Sequence, residues 1–235
     1  MIGLGTIANT LAVIIGSGIG LMIKSGLKPR YQETIMQALG LSTLFIGVSG
    51  AMSGMLKIID NGIETQGSML LIGSLVFGAL LGEFLNIELR LEQAGEWLKK
   101  KVHIKNDNTF VEGFVTATLV ICVGAMAVVG ALQDGLQGDV STLFAKSVLD
   151  FVIVMVFAST LGVGVTFSAL PLLIYQGSIT LFASFLKSFL SPIVIANLSF
   201  IGSVLIFAVG INLCFNKKIK IANLLPAMII PFLFH

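Results

Sequence analysis

The sequence predicts an all-α polytopic transmembrane bundle of about seven to eight spans, with one amphipathic helix at the cytoplasmic surface. Three observations carry that prediction. Of 235 residues, 56% are hydrophobic and only 11% are charged, with a mean hydropathy of +1.01. A water-soluble domain carries roughly a quarter of its residues charged, so much of this surface faces something other than water. The charges also sit in short clusters, separated by apolar runs near the ~20 residues that a helix needs to cross hydrocarbon. Finally, the basic clusters fall on alternate loops, as the positive-inside rule requires of a multi-span chain.

The apolar runs place spans near 2–23, 35–56, 68–85, 110–132, 142–164, 171–190, 194–215 and 221–234, forming one integral membrane domain over 1–235. Helices are expected throughout, because backbone groups in hydrocarbon must find their hydrogen bonds within the segment, and these runs are too long and continuous for barrel strands. The first run follows Met1-Ile2-Gly3 with no basic segment before it, so it reads as a retained span rather than a signal peptide. The eighth is short and contains Pro226 and Pro231, which suits a half-span or a kinked, tilted segment.

Eleven of the fourteen basic residues fall on one side: Lys24, Lys28 and Arg30; Arg90, Lys99, Lys100, Lys101 and Lys105; and Lys217, Lys218 and Lys220. The opposite side has Lys57 and Lys187. The loops 24–34, 86–109 and 216–220 are therefore expected in the cytoplasm and the N-terminus outside. Within the longest loop, at 86–105, Ile87, Leu91, Ala94, Leu98 and Val102 recur at helical spacing opposite Glu88, Arg90, Glu92, Glu96 and Lys99 to Lys101. That pattern predicts an interfacial helix, with Trp97 at headgroup level.

Small residues form stripes on the first three spans: Ala8, Ala12, Gly16 and Gly20; Gly40, Thr43, Gly47, Gly50 and Gly54; and Ser74, Gly78 and Gly82. In lipid such stripes let helix backbones approach closely, inside one chain or between copies in a homo-oligomer. Gly124, Gly130 and Leu161-Gly162-Val163-Gly164 are the places where a helix interruption is expected. Internal similarity is also present. Gly50-Ala51-Met52 with Asp60 returns as Gly124-Ala125-Met126 with Asp134, Val76-Phe77 with Leu81-Gly82 returns at 156–162, and Ile-Ala-Asn occurs at 7–9, 195–197 and 221–223.

Ionisable groups inside spans are costly and are functional candidates by default. Lys146 and Asp150 are the sharpest: Asp150 lies about 14 Å along a span starting at Ser141, close to the midplane, and Lys146 is one turn before it on the same face. Gln133 and Asp134 close the fourth span, where a carboxylate at an outer mouth either selects cations or simply marks an exposed helix end. Tyr175 and Gln176, with Ser178 and Thr180, form a polar patch after Pro171, and Asn9 lies at depth in the first span. The candidate substrate-binding residues are thus Lys146, Asp150, Tyr175, Gln176, Asn9, Gln133 and Asp134.

Catalytic residues, metal ligands and a cofactor site are not expected. The histidines are His103, in a loop, and His235, at the end of the sequence, and no nucleophile–base–orienter set is present. Cys122 and Cys214 sit in apolar runs and read as packing residues rather than a disulfide. A net charge of +2 gives no reason to expect nucleic acid as a partner.

A set of motifs, in order along nearly the whole chain, resembles a family of bacterial polytopic membrane proteins catalogued as domain of unknown function 554. They are Gly5-Thr6-Ile7-Ala8-Asn9, Leu81-Gly82-Glu83-Phe84-Leu85-Asn86-Ile87-Glu88, Cys122-Val123-Gly124 through Gln133-Asp134-Gly135, and Lys146-Ser147 with Leu149-Asp150. Phe167-Ser168-Ala169-Leu170-Pro171 with Tyr175-Gln176-Gly177 and the closing Ala222-Asn223-Leu224-Leu225-Pro226-Ala227 complete the set. The resemblance implies residence in the bacterial inner membrane and brings no established activity. This chain departs from it at Ala125 and Phe151, where proline and glycine are expected, which argues for less helix breaking there.

The leading functional expectation is a secondary transporter of a small solute, with a zwitterion as the specific reading: an ammonium and a carboxylate one turn apart match an amino acid's two charges. No nucleotide-binding motif is present, so an ion gradient or a partner would drive it. The alternative is a non-transporting scaffold or partner subunit, in which the intramembrane pair is purely structural. A channel is a weaker third class, lacking any filter sequence or ring of charges.

Overall fold

The computed structural model describes residues 2–24, 28–60, 62–104, 109–123, 125–186, 191–215 and 219–233. In order these form α1 (Leu4–Lys24), α2 (Pro29–Met55), a hairpin of β1 (Leu56–Ile59) and β2 (Gly62–Thr65), α3 (Ser68–Leu85), α4 (Ile87–Lys101), α5 (Phe110–Cys122), α6 (Ala125–Gln137) and α7 (Ser141–Leu161). There follow a 3-10 helix η1 (Val163–Ser168), α8 (Ala169–Leu181), the short α9 (Ala183–Leu186), α10 (Pro192–Phe215) and a second 3-10 helix η2 (Ala222–Leu233). Among the described residues, six helical segments are long and apolar enough to cross a membrane, with η1 and α8 counted as one. The pair α5 and α6, bent by 61° at its break, makes a seventh as an interrupted span.

Most expected spans coincide with these helices, and the differences have local causes. The second helix begins at Pro29, where proline suits a first turn, and its membrane-length part, Glu33–Met55, lies on the expected 35–56. The sixth starts at Val163 rather than 171: Gly162, at φ 85°, ends α7 and the chain re-enters a 3-10 turn at once. Pro171 then falls in the first turn of α8, where its missing N–H does least harm. The eighth is a 3-10 helix of 12 residues carrying both prolines. The hairpin was not foreseen. Its strands are four residues each, paired Lys57 to Glu64 and Ile58 to Ile63, too short to give a readable alternation.

The break after Cys122 corrects one expectation. Ala125 in place of proline argues for a continuous helix, yet the chain bends there. Gly124 lies outside the described residues, whereas Gly130, the other candidate, sits inside continuous α6. At Phe151 the helix is continuous, as that departure suggests.

The chain divides into two compact units: Met1–Ala38, Arg90–Cys122 and Met126–Lys187 form the first, and Leu39–Leu89, Val123–Ala125 and Ser188–His235 the second. In the first, α1 lies along α7 in the same direction. A Cβ at Gly5 would meet Leu143, one at Gly16 would lie 2.6 Å from the Phe151 carbonyl oxygen, and one at Gly20 would strike that of Met155. At the other end of α7, the Thr109 hydroxyl donates to the Leu161 carbonyl (2.7 Å), and Gly164 lies against the Phe110 carbonyl. Phe110, Phe157, Leu143, Leu172, Val154 and Val165 fill the interior. From Arg90 onward α4 packs Gly95 against Phe114 and Val111 and buries Leu98, while Ala94, Trp97 and Val102 are exposed. Lys101 lies over the Trp97 ring at 4.7 Å.

In the second unit the residues of α2 from Leu39 onward run antiparallel to α10, with Gly40 against Cys214, Gly47 against Phe207 and Gly54 against Phe200. Helices α3 and η2 are also antiparallel, Gly78 facing Ala227 and Gly82 the Asn223 carbonyl. These directions match the alternation that the span order requires. The glycines of these stripes thus pack against other segments of the same chain. They make paired substitutions informative: a Cβ at Gly73 of α3 meets nothing within 4 Å, unlike one at Gly82. Thermal unfolding should show Gly73→Ala neutral or stabilising by up to ~1 kcal/mol. Gly82→Ala should cost about 1–3 kcal/mol by overpacking.

A polar staple closes the same pair. Glu83 accepts from Asn223 Nδ2 (2.6 Å) and Lys220 Nζ (2.7 Å), while Glu88 accepts the Ala222 N–H (2.8 Å) and its own N–H donates to Asn223 Oδ1 (2.7 Å). The motif around Glu83 and Glu88 thus fastens the start of η2. The Glu83 carboxylate holds the Lys220 ammonium above the usual lysine value, so its contribution is present below that value and lost as pH rises through the elevated one.

The internal identities do not occupy equivalent places. Gly82 packs inside α3 whereas the matching Gly162 terminates α7, and Ile-Ala-Asn lies in α1, in α10 and at the start of η2. Cys122 and Cys214 lie one in each unit and are not joined by a disulfide.

Candidate functional site

Four segments of the first unit converge about halfway along α7. That helix places Lys146 and Asp150 one turn apart on its buried face, 6% and 4% exposed. The Lys146 ammonium donates to Asp150 Oδ2 and to the Ile121 carbonyl oxygen, the latter at 2.8 Å. Ile121 is in the last turn of α5, so the helix itself offers its carbonyl no N–H, and the negative end of the helix dipole lies there. The interruption of the span therefore supplies an acceptor that a continuous helix would have used up.

Helix α1 contributes Asn9, whose Nδ2 donates to Asp150 Oδ2 (2.9 Å) and to Gln176 Oε1 of α8 (3.2 Å). Both amides are 0% exposed, and among the described residues Asn9 Oδ1 and Gln176 Nε2 have no hydrogen-bond partner. Leaving such an atom unpaired costs about 1–3 kcal/mol, and few are left so without a reason. The site thus combines one ammonium, one carboxylate, one unpaired acceptor and one unpaired donor. Thr118 Oγ1, one turn before Ile121 on α5, is buried and unpaired as well.

The other sequence candidates stand elsewhere. Asp134 is not at an exposed mouth: it is 0% exposed, and its carboxylate accepts the backbone N–H groups of Gly3 (2.9 Å) and Gly5 (3.0 Å), capping the start of α1. A charged acceptor there satisfies orphan donors and complements the helix dipole. Gln133 Oε1 accepts from Thr142 (2.6 Å). Tyr175 is half-buried, and its hydroxyl takes no part in the network among the described residues. Of its neighbours, Ser178 bonds back to the Tyr175 carbonyl, and Thr180 shares a hydrogen bond with Thr6 of α1 (3.3 Å). The structure therefore brings together Asn9, Lys146, Asp150 and Gln176. The Ile121 carbonyl could not be found from sequence, because a backbone acceptor becomes available only through the break. Among the described residues no three His, Cys, Asp or Glu side chains group as metal ligands. An open groove in the second unit, lined by Met52, Leu56, Ile58, Ile63 and Gln66, contains none of the network.

A helical bundle of membrane-length segments, one of them broken beside a buried ion pair, defines a polytopic integral membrane protein. The chain belongs to the family described as "Protein of unknown function (DUF554)", whose model matches residues 4–235. It is 35% identical over 227 residues to "Uncharacterized membrane protein YdfK" of Bacillus subtilis (strain 168), covering 97% of this chain and 93% of that protein. It is 28% identical over 235 residues to "Uncharacterized protein YqgA" of Escherichia coli (strain K12), covering 97% and 94%. No solved structure matches the chain.

Proposed function

We propose that the protein is a secondary transporter of a small zwitterionic solute, not an enzyme, and that Asn9, Lys146, Asp150 and Gln176 form its binding site in an occluded state. The observation that carries this reading is the pair of unpartnered amide atoms, Asn9 Oδ1 and Gln176 Nε2, beside the buried Lys146–Asp150 pair. An ammonium and a carboxylate that now satisfy each other can exchange that partnership for the carboxylate and amine of a solute, and the amides supply the acceptor and donor that fix its orientation. A broken span at the site is the element whose two halves can shift. We place the protein in the bacterial plasma membrane, N-terminus outside and basic loops in the cytoplasm, on the charge asymmetry of the loops.

Uptake of labelled amino acids into proteoliposomes tests this. Wild-type flux should exceed that of empty liposomes, and Gln176→Ala, which removes no charge, should cut it at least tenfold with unfolding temperature nearly unchanged. Equal flux in both would remove Gln176 from the site, and absent flux in the wild type would remove the solute class.

A specific observation favours a second reading, a non-transporting scaffold. Lys146 and Asp150 are closed off and mutually satisfied, as a pair fixing helix register would be. In that case Lys146→Met with Asp150→Leu would leave every property but stability unchanged.

A further inference from the structure

We propose that the Lys146 ammonium is a tethered stand-in for a monovalent coupling cation: it closes this site to Na⁺, and removing its side chain opens the site to that ion. Its partners are the reason. The ammonium sits between a carbonyl oxygen in the last turn of a broken helix and a carboxylate oxygen on the neighbouring span. Unwound backbone carbonyls and half-helix C-terminal ends at a span interruption are oxygen ligands by which membrane transporters hold Na⁺, and a carboxylate oxygen beside them adds the compensating charge.

Further oxygens are offered by residues of the same elements. Asn9 donates to the very carboxylate oxygen that Lys146 holds, and its own Oδ1, wholly buried, has no partner among the described residues. Thr118 Oγ1 is likewise unpaired, one turn before Ile121 on α5. The last four carbonyls of α5 have no donor from their own helix. Truncating the lysine would therefore leave an oxygen-lined space with one uncompensated negative charge. A monovalent cation neutralises that charge, whereas a divalent ion would bury an excess positive one at the cost that unpaired buried charges carry. An anion has little to bind once Lys146 is gone, since the groups named are chiefly acceptors.

The consequence for coupling rests on the transport reading: a carrier whose cation is covalently attached does not draw on the Na⁺ gradient at this site. The cation site itself is tested without any solute. Purified wild type and Lys146→Ala are unfolded thermally in detergent as NaCl replaces choline chloride at constant ionic strength. Wild type should not respond. Lys146→Ala should gain about 3–6 °C on reaching 200 mM Na⁺, the shift that binding with a Kd of about 20 mM gives a domain of this size. The gain should vanish in Lys146→Ala/Asp150→Asn. Should Lys146→Ala prove fragile, its recovery is the readout: folded protein from Na⁺ buffer and not from choline supports the proposal. A variant that ignores Na⁺, that aggregates equally in both buffers, or that responds no more than wild type overturns it. Any of those failures leaves the flux result as it stands, and absent flux leaves the Na⁺ result as it stands.

Discussion

Asp150→Ala should be the most destabilising single substitution in the first unit, lowering stability by about 3–5 kcal/mol. The charge it abandons is Lys146, which is 6% exposed and would keep only the Ile121 carbonyl among its present partners. Asn9 Nδ2 would lose its bond to the same carboxylate oxygen and retain Gln176 Oε1. Lys146→Met alone leaves the carboxylate with Asn9 as donor, a smaller loss, because one charge-assisted bond of the stronger kind survives. The double change Lys146→Met/Asp150→Leu removes both charges and should regain most of the loss, giving a coupling energy of at least ~2 kcal/mol. Thermal unfolding of the four proteins in one detergent reads all of this. Losses that simply add would show that the pair does not act as one.

Asp134→Ala should cost about 2–4 kcal/mol, combining two lost charge-assisted bonds with two orphaned donors. The carboxylate is fully buried and receives the N–H groups of Gly3 and Gly5, so its removal frees the first turn of α1. Asp134→Asn can accept at one atom only and should fall between. The effect should be local as well as global: an N-terminal tag should become protease-sensitive in Asp134→Ala before the protein unfolds. Unchanged protection would mean that the Thr6–Thr180 bond and the glycine contacts of α1 hold that end by themselves.

Class, span positions and the central ion pair were legible in the sequence because each follows from one-dimensional quantities: run length, charge spacing and the 3.6-residue turn. Lys146 and Asp150 are four residues apart on an apolar helix, which fixes their relation without any tertiary knowledge. Asn9 and Gln176 were legible as polar residues at depth, but not as partners, since 167 positions separate them. Asp134 was misplaced for a related reason. At the end of a span it looks exposed, and only the two N–H groups at the start of α1 that reach it show that it serves a helix N-terminus. The break after Cys122 lies beside Gly124, one of the places where the sequence marks an interruption, although Ala125 in place of proline points the other way; in α4, Gly95 allows the close approach of Phe114. A stripe of small residues names the face that packs, not its partner. Gly16 and Gly20 meet α7, while Gly47 and Gly54 meet α10.

On the reading proposed above, the buried network of Asn9, Lys146, Asp150 and Gln176 recognises a small zwitterion. A thermal-shift screen of the purified protein against amino acids, small acids, amines and metal ions tests it most directly, with Gln176→Ala and Asn9→Ala run alongside. The account predicts that at least one zwitterion raises the wild-type unfolding temperature, and that both variants lose most of that rise while staying folded. A wild type that answers to no zwitterion, or variants that respond as strongly as wild type, would contradict it.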